Sequence, residues 1–425
     1  MIKNLYKTSV LTAAAAVFLA AACASGGRNS PDEEKPGPPV TITVDTTVRH
    51  QYVRGFGGMS NAWSSPRITE DDITTMYGEN GLGYNIFRIM IYPDRERWSA
   101  NVPAAKKAQS YGALILASPW TPPPELKSNN SHVGGHLPKS SFAAYAEHLR
   151  SFVNYMADNG VKIDVISIQN EPDYQVTYDS CDWTSADMMD FIINYGRGIG
   201  DVLIIPGEPF QFNRGYYNPM LNSPEAVEKF DIVGGHIYGR GLYSYQLAAE
   251  KDKEFWMTEH LLNTPSDYYL DSTWPAAMLL AKEIHDCMDA GFNAYIWWYL
   301  KRFYSMMGDG EYDTERGKVL NRGYVMSHYA QYAIGKYRVD TQQDGNSQVK
   351  VTAYEGTDDL CVVIVNMGTG SSDASITLPD QFVRASATES NEKGVMREKP
   401  VTLGDNKTAA LRLAARSIVS IKFEK

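Results

Sequence analysis

Two glutamates carry the chemistry for which this chain is equipped, and each closes an apolar run. Glu171 ends Val165-Ile166-Ser167-Ile168-Gln169-Asn170-Glu171 and is followed by Pro172; Glu259 ends Glu254-Phe255-Trp256-Met257-Thr258-Glu259. A carboxylate at a strand end is presented at the rim of a sheet, where the backbone turns into a loop. Two of them facing one cleft supply what glycoside hydrolysis needs: one protonates the departing oxygen, the other attacks the anomeric carbon or activates water. The acid must hold its proton near neutral pH and the nucleophile must stay charged, so their surroundings have to differ. Asn170 can donate from its amide to a sugar 2-hydroxyl, a contact that tightens as positive charge develops on the ring. Tyr238, in Gly235-His236-Ile237-Tyr238-Gly239, can hydrogen-bond the Glu259 carboxylate and hold it ionised. Pro172 is expected to keep Glu171 extended. Carboxyl groups about 5–5.5 Å apart would retain configuration through a glycosyl-enzyme.

The elements that must position these groups alternate short apolar strands with amphipathic helices. Strands are expected at Arg54–Gly58, Ile86–Ile91, Ala113–Ser118, Val165–Gln169, Val202–Ile205, Ile232–His236, Glu254–Thr258 and Ala294–Trp298. One intervening helix starts at Phe142 and stops near Asn159-Gly160; another runs from Trp274 to Ala290, with Gly291 after it, a C-terminal cap pattern. Eight strand–helix units predict a (β/α)₈ TIM barrel over residues 54–335. On that count Glu171 follows the fourth strand and Glu259 the seventh, both on the rim that carries active sites in such barrels. Beyond it, Val349–Tyr354, Leu360–Asn366, Ala374–Leu378 and Ser417–Phe423 alternate or run β-branched between Gly, Asp and Ser. This predicts an appended β-sandwich over 336–425, joined by residues 40–53, so that the side domain uses both chain ends.

Residues 1–22 read as a secretory signal: Lys3 and Lys7 precede an alanine-rich apolar stretch too short for a comfortable membrane span. Cys23 follows three alanines, in the manner of a bacterial lipoprotein whose cysteine becomes lipidated. Residues 23–39, rich in Gly, Ser, Pro and charge, read as a flexible tether. An exported lipoprotein of the outer membrane is expected, with no other contact to a membrane. The formal net charge of −10 makes nucleic acid a poor partner. Cys181, Cys287 and Cys361 are scattered and write neither a disulfide framework nor a zinc site; one bridge and three buried thiols both remain open. The eight histidines have no metal-ligand spacing, and the string Asp309-Gly310-Glu311-Tyr312-Asp313 lacks that of a calcium loop and reads as a solvated one. No metal or cofactor is expected, and a monomer is.

Asn170-Glu171-Pro172 after the fourth strand resembles the acid/base motif of retaining barrel glycosidases, and the match is closer to glycoside hydrolase family 30, within it to the bacterial glucuronoxylanases. The blocks that carry the resemblance are Arg54-Gly55-Phe56-Gly57-Gly58-Met59, Ala117-Ser118-Pro119-Trp120-Thr121-Pro122-Pro123, Ile166 to Tyr174, Trp256-Met257-Thr258-Glu259, Tyr295-Ile296-Trp297-Trp298-Tyr299 and Arg322-Gly323-Tyr324-Val325-Met326. They stand in the family's order and cover residues 40 to 425. The resemblance implies a barrel with a β side domain, xylan as substrate, Glu171 as acid/base and Glu259 as nucleophile. It also implies that Arg302 reads a 4-O-methylglucuronic acid branch, which a guanidinium grips with two parallel hydrogen bonds. Trp298 would offer a face to that branch and Tyr304 a hydroxyl. Lys301 and the segments after residues 259 and 308 depart from the family's pattern.

The other candidates have structural alternatives. Trp63 and Trp120 can stack on xylose rings or pack in the core; Tyr174 lies on the loop after Glu171. Arg302 can pair with Asp309 instead of a uronate. Arg88 can orient either glutamate or form a structural ion pair, and Gly57-Gly58 marks a close backbone approach or a turn. Two functions compete with a branch-guided endo-acting xylanase. One is a xylanase of the same family without uronate dependence, or an exo-acting one; the other is a non-catalytic, tethered glycan-binding lipoprotein.

Overall fold

A computed structural model describes residues 35–61, 65, 67–262 and 272–425. The signal, most of the tether, Cys23 and Trp63 lie outside the described residues. No helix among those described is long and apolar enough to cross a membrane.

The chain opens with β1 (Val40–Tyr52) and then builds eight parallel strands: β2 (Gly55–Met59), β3 (Ile86–Ile91), β4 (Leu114–Pro119), β5 (Val165–Ser167), β6 (Leu203–Ile205), β7 (Ile232–His236), β8 (Glu254–His260) and β9 (Ala294–Trp297). They pair in the order β6-β5-β4-β3-β2-β9-β8-β7. The seam between the outer two is bridged where Asp231 N donates to Ile204 O at 3.1 Å and His236 N to Pro209 O at 2.9 Å. Strand ends move by one or two residues from the sequence expectation. Helices such as Phe142–Asp158, Ser185–Tyr195 and Trp274–Asp289 cover the outside.

Side chains alternate across a strand, so residues two apart share a face. Ile86, Leu116, Val165, Ile205, Ile232, Trp256, Ala294 and Ile296 form one fully buried cluster, the apolar floor of the barrel. Two residues further on from Ile86 and Leu116, and four from Ile232, the inward positions carry Arg88, Ser118 and His236. The floor thus gives way to a polar layer toward the C-terminal rim. Gly57 marks a close approach: a Cβ there would lie 1.7 Å from the Ile86 carbonyl oxygen.

Nine strands follow: β10 (Tyr337–Gly345), β11 (Val349–Glu355), β12 (Asp359–Asn366), β13 (Ser372–Thr377), β14 (Arg384–Asn391), β15 (Gly394–Lys399), β16 (Thr402–Gly404), β17 (Thr408–Leu413) and β18 (Ser417–Glu424). With β1 between β10 and β13 they make one ten-stranded sheet. Val40, Ile42, Val362, Ile376, Ala387, Leu413 and Val419 share one core, so distant parts of the sheet face each other as a sandwich. The helix Asn321–Ala333 docks the barrel on it. His328, on that helix, places its fully buried ring between the Ser420 and Ser390 hydroxyls at 2.9 and 2.8 Å. Cys181, Cys287 and Cys361 are free and buried.

Candidate active site

Five strands converge on one buried group of charges. Arg88 stands on β3, Glu171 follows β5, Glu208 follows β6, His236 ends β7 and Glu259 lies on β8. Glu259 falls inside its strand, which runs on to His260; irregular register between Gly235 and His236 sets His236 opposite Glu259. A bulge of this kind re-aims a side chain.

Glu171 departs from the extended conformation expected ahead of Pro172: its φ is +49°. The left-handed region costs a residue with a Cβ roughly 1–3 kcal/mol and persists where the surroundings over-determine it. Here Asn170 N donates to Pro119 O at 2.9 Å, Glu171 N to Glu208 O at 3.0 Å and Tyr174 N to Glu171 O at 3.3 Å. These bonds tie the turn to the neighbouring strand ends and outweigh the preference set by proline.

The guanidinium of Arg88, with no exposed surface, donates to Glu259 Oε2 at 2.5 Å, Asn170 Oδ1 at 2.8 Å, Glu208 Oε2 at 2.9 Å and Ser118 Oγ at 3.2 Å. It lies 4.8 Å from the Trp120 ring centroid. Tyr238 donates to Glu259 Oε1 at 3.0 Å, so both oxygens of that carboxylate are held. Glu171 is bounded differently: the Tyr178 hydroxyl donates to Oε2, and His236 Nδ1 lies 3.1 Å from Oε1. The other ring nitrogen of His236 is 3.8 Å from Glu208 and 4.0 Å from Glu259. Ligand atoms of Glu171, His236 and Glu259 all lie within 4.8 Å of one another. A metal ion placed among them would displace a ring proton and sit against the Arg88 charge, so the arrangement suits proton transfer better than coordination.

Burial would depress the His236 imidazole, but Glu259, Glu171 and Glu208 reverse that and raise it to about 9. Burial alone would raise Glu208; Arg88 and His236 overcome it and hold the carboxyl at about 2. Burial pushes Glu259 above the ordinary carboxylate range, with Glu171 adding to the push and His236 and Arg88 opposing it. A neighbouring carboxylate disfavours the charged form, which is how Glu171 contributes to the elevation of Glu259.

Near neutral pH, Arg88 and His236 carry two positive charges against three carboxyl groups. The cluster is electrically neutral when the Glu171–Glu259 pair holds one proton. That is the protonation state in which one member can donate a proton and the other attack.

The remaining candidates sit around this centre. Asn170 is buried and turns its oxygen to Arg88, which directs its NH₂ group elsewhere. Trp120, 7% exposed, and Trp298 bring their rings to 5.7 Å on the rim. Tyr174 is 44% exposed and stacks on Phe210 at 3.9 Å, which in turn stacks on Tyr238 at 5.0 Å. Arg302 and Tyr304 stand together after β9, and burial raises the Tyr304 hydroxyl to about 12. Arg302 also pairs with Asp309 at 3.7 Å. Asp309 is buried, so the loop that reads as solvated is so only at Gly310, Glu311, Tyr312 and Asp313. Lys301 is buried against Asp72 and offers no charge to the cleft.

Glu208, Tyr178 and Phe210 were not among the expected site residues, and His236 was quoted only as a neighbour of Tyr238. Glu208 had a signal: Ile204-Ile205-Pro206-Gly207-Glu208-Pro209 repeats the pattern of an apolar strand ending in a glutamate before proline. Tyr178 had none.

No protein-family model matches the chain. It is 36% identical over 338 residues to glucuronoxylanase XynC of Bacillus subtilis (strain 168), covering 76% of this chain and 78% of that protein. Among solved structures, it resembles the glycoside hydrolase family 30 subfamily 8 xylanase Xyn30A from Clostridium acetobutylicum, with 32% identity, TM-score 0.82, and coverage of 91% of this chain and 100% of that one. A GH30 endoxylanase from Clostridium papyrosolvens C71 matches with 30% identity, TM-score 0.79 and the same coverage.

Proposed function

The chain belongs to glycoside hydrolase family 30, and on that premise we propose that it is a retaining endo-β-1,4-xylanase acting on glucuronoxylan, with Glu171 as acid/base and Glu259 as nucleophile. The observation that carries the catalytic assignment is the approach of the two carboxylates to within 4.8 Å. Retaining glycosidases hold them about 5–5.5 Å apart, too close for a water on the opposite face of the sugar.

Glu259 takes the nucleophile's part because its charge is met directly: Arg88 holds one oxygen and Tyr238 the other. Glu171 lacks a guanidinium and is bounded instead by the Tyr178 hydroxyl and His236, so it takes the acid's part. In the first step Glu259 attacks the anomeric carbon while Glu171 protonates the leaving glycosidic oxygen. In the second, ionised Glu171 takes a proton from water, which displaces Glu259 from the sugar. The NH₂ of Asn170, set by the grip of Arg88 on its oxygen, donates to the 2-hydroxyl of the reacting xylose. Trp120, Tyr174 and Trp298 supply ring faces for the xylan chain.

Branch recognition rests on Arg302 and Tyr304. XynC of Bacillus subtilis is a glucuronoxylanase by name, and the Arg302 side chain, 30% exposed, stands beside Tyr304, whose hydroxyl feels the Glu259 charge. One observation favours the alternative without uronate dependence: Asp309 already meets the Arg302 charge, and Asp72 that of Lys301. Export and lipid attachment at Cys23 complete the proposal, supported by the N-terminal pattern; palmitate labelling lost in Cys23→Ser tests it.

The catalytic test is digestion of beechwood glucuronoxylan, with ¹H NMR of the first products. Release of β-anomers, abolished in a folded Glu259→Gln variant, is the expected result; unchanged activity in that variant defeats the assignment. Product masses distinguish endo from exo action. Equal rates on unbranched and uronate-branched xylans would favour the alternative.

A further inference from the structure

Glu208 touches neither of the oxygens that do the chemistry, yet it is among the most enclosed charges in the protein. Its backbone is fixed on both sides: Glu208 N donates to Gln169 O at 2.9 Å, and its own carbonyl accepts from Glu171 N at 3.0 Å. The side chain has no exposed surface and lies 2.9 Å from Arg88 and 3.8 Å from His236. A glutamine would fill the same space and accept the same hydrogen bond from Arg88. The difference between the two side chains is one negative charge.

That charge decides how many protons the site can hold. Suppose Glu208 is neutral while Arg88 and His236 remain cationic. The cluster then balances only if Glu171 and Glu259 are both ionised, and the acid has lost its proton. It otherwise balances if His236 gives up its own proton, and the Nδ1–H donor toward Glu171 is no longer secured. A buried imbalance of one charge is costly in either case. With Glu208 ionised, a doubly protonated His236 and a singly protonated carboxyl pair coexist.

We propose that Glu208 is a positioning residue that sets the proton count of the active site. Its buried charge, shared between Arg88 and His236, lets His236 stay protonated against Glu171 while Glu171 and Glu259 keep one proton between them. This rests on the roles given above to those two glutamates. The groups facing His236 are Glu171, Glu208 and Glu259, with the Tyr238 ring edge-on at 5.8 Å and Arg88 behind the carboxylates. The elevation of His236 to about 9 and the depression of Glu208 to about 2 agree with that arrangement.

The experiment is histidine titration by NMR in the full chain labelled with ¹⁵N-histidine, with His236 assigned by its loss in His236→Gln. In the wild type, both ring nitrogens of His236 are expected to stay protonated past pH 8. In Glu208→Gln the titration should move at least about one pH unit lower, a tenfold easier loss of the proton. The basic limb of kcat/KM on glucuronoxylan should move with it, with a smaller change in KM. Glu208→Asp should recover most of both shifts.

Activity lost in Glu208→Gln with the histidine titration and the limb unmoved would make Glu208 a mere packing residue and overturn the proposal. Should that variant not fold, the wild-type titration still decides, since a His236 that deprotonates near 6.5 overturns it equally. A wild type inert on xylans but with His236 protonated past pH 8 would defeat the substrate assignment and support the role of Glu208.

Discussion

Tyr178 donates its hydroxyl to Oε2 of Glu171 from a side chain that is 47% exposed, while the other oxygen of the same carboxyl faces buried His236. The acid of the proposed reaction is thus held from the solvent side by a loop residue whose place the leaving oxygen of a substrate must take. A hydroxyl donating to a carboxylate favours its charged form. Tyr178→Phe removes that donor and leaves His236 as the remaining contact of the carboxyl. The basic limb of kcat/KM should move up by less than about one pH unit, with kcat within about tenfold of wild type. A pH–rate profile of the two proteins checks it; a limb that moves down contradicts the contact's proposed effect.

The division of labour between the glutamates can be tested through the leaving group. Glu171→Ala should slow xylan cleavage by about 10²–10⁴-fold, the usual contribution of a general acid. A dinitrophenyl xylobioside needs no protonation to depart, so its first step should be nearly spared and a burst of dinitrophenol should appear. Added azide should then speed turnover and yield a β-glycosyl azide. Glu259→Ala should show neither the burst nor the β-azide. Stopped-flow absorbance and product NMR separate the two variants, and exchanged behaviour would exchange the roles.

The two glutamates were visible in the chain because each closes a short apolar run that reads as a barrel strand; the roles proposed for them came from the resemblance. The period-two logic of a strand carries Ile86 to Arg88 and so places a guanidinium above the apolar floor. What was illegible depends on convergence. His236 becomes cationic only because three carboxylates from three other strands surround it, a fact no local pattern holds. Tyr178 reaches Glu171 by the course of a loop. The φ of Glu171 went against the local rule because hydrogen bonds donated by Asn170 N and Glu171 N to the carbonyl oxygens of Pro119 and Glu208, distant in sequence, fix the turn. In the side domain, β10 and β14 to β17 were passed over; Tyr337–Gly345, Arg384–Asn391 and Thr402–Gly404 are too polar or too short to read as strands without the partners that pair with them.

Branch recognition makes a prediction about Asp309 as well as Arg302. A charged hydrogen-bonded contact is worth about 1.5–3 kcal/mol, or about 10–100-fold in kcat/KM. Arg302→Ala should lose that factor on uronate-branched xylan and little on an unbranched one. Asp309→Asn frees the guanidinium from its internal partner and should lower KM for the branched substrate. Michaelis parameters on both substrates check this, and equal losses on the two xylans for Arg302→Ala would remove the uronate from the proposal.

Stability toward acid should depend on the joint between barrel and side domain. The Ser420 hydroxyl donates to His328 O at 3.1 Å, so its oxygen is free to accept from Nδ1–H of the His328 ring. The Ser390 oxygen in turn accepts from Met396 N at 2.8 Å, so the Ser390 hydroxyl points its hydrogen at Nε2. One donor and one acceptor are the complement of a neutral imidazole, and burial lowers the group to about 3. A histidine depressed in the fold and near 6.5 when unfolded binds more protons unfolded between those values. Its stabilising contribution is therefore whole above pH 6.5 and is lost as pH falls toward 3, at up to about 1.4 kcal/mol per pH unit. His148 and His285, each lowered to about 4 mainly by burial, act in the same direction. His328→Asn should be less stable than wild type at pH 7 because it forfeits part of the serine network. It should nonetheless lose less Tm between pH 7 and pH 5, because one of the three groups no longer takes up a proton on unfolding. Thermal unfolding at the two pH values gives the comparison. An identical drop in both proteins would mean that His328 is already protonated in the fold, against the hydrogen bonding that surrounds it.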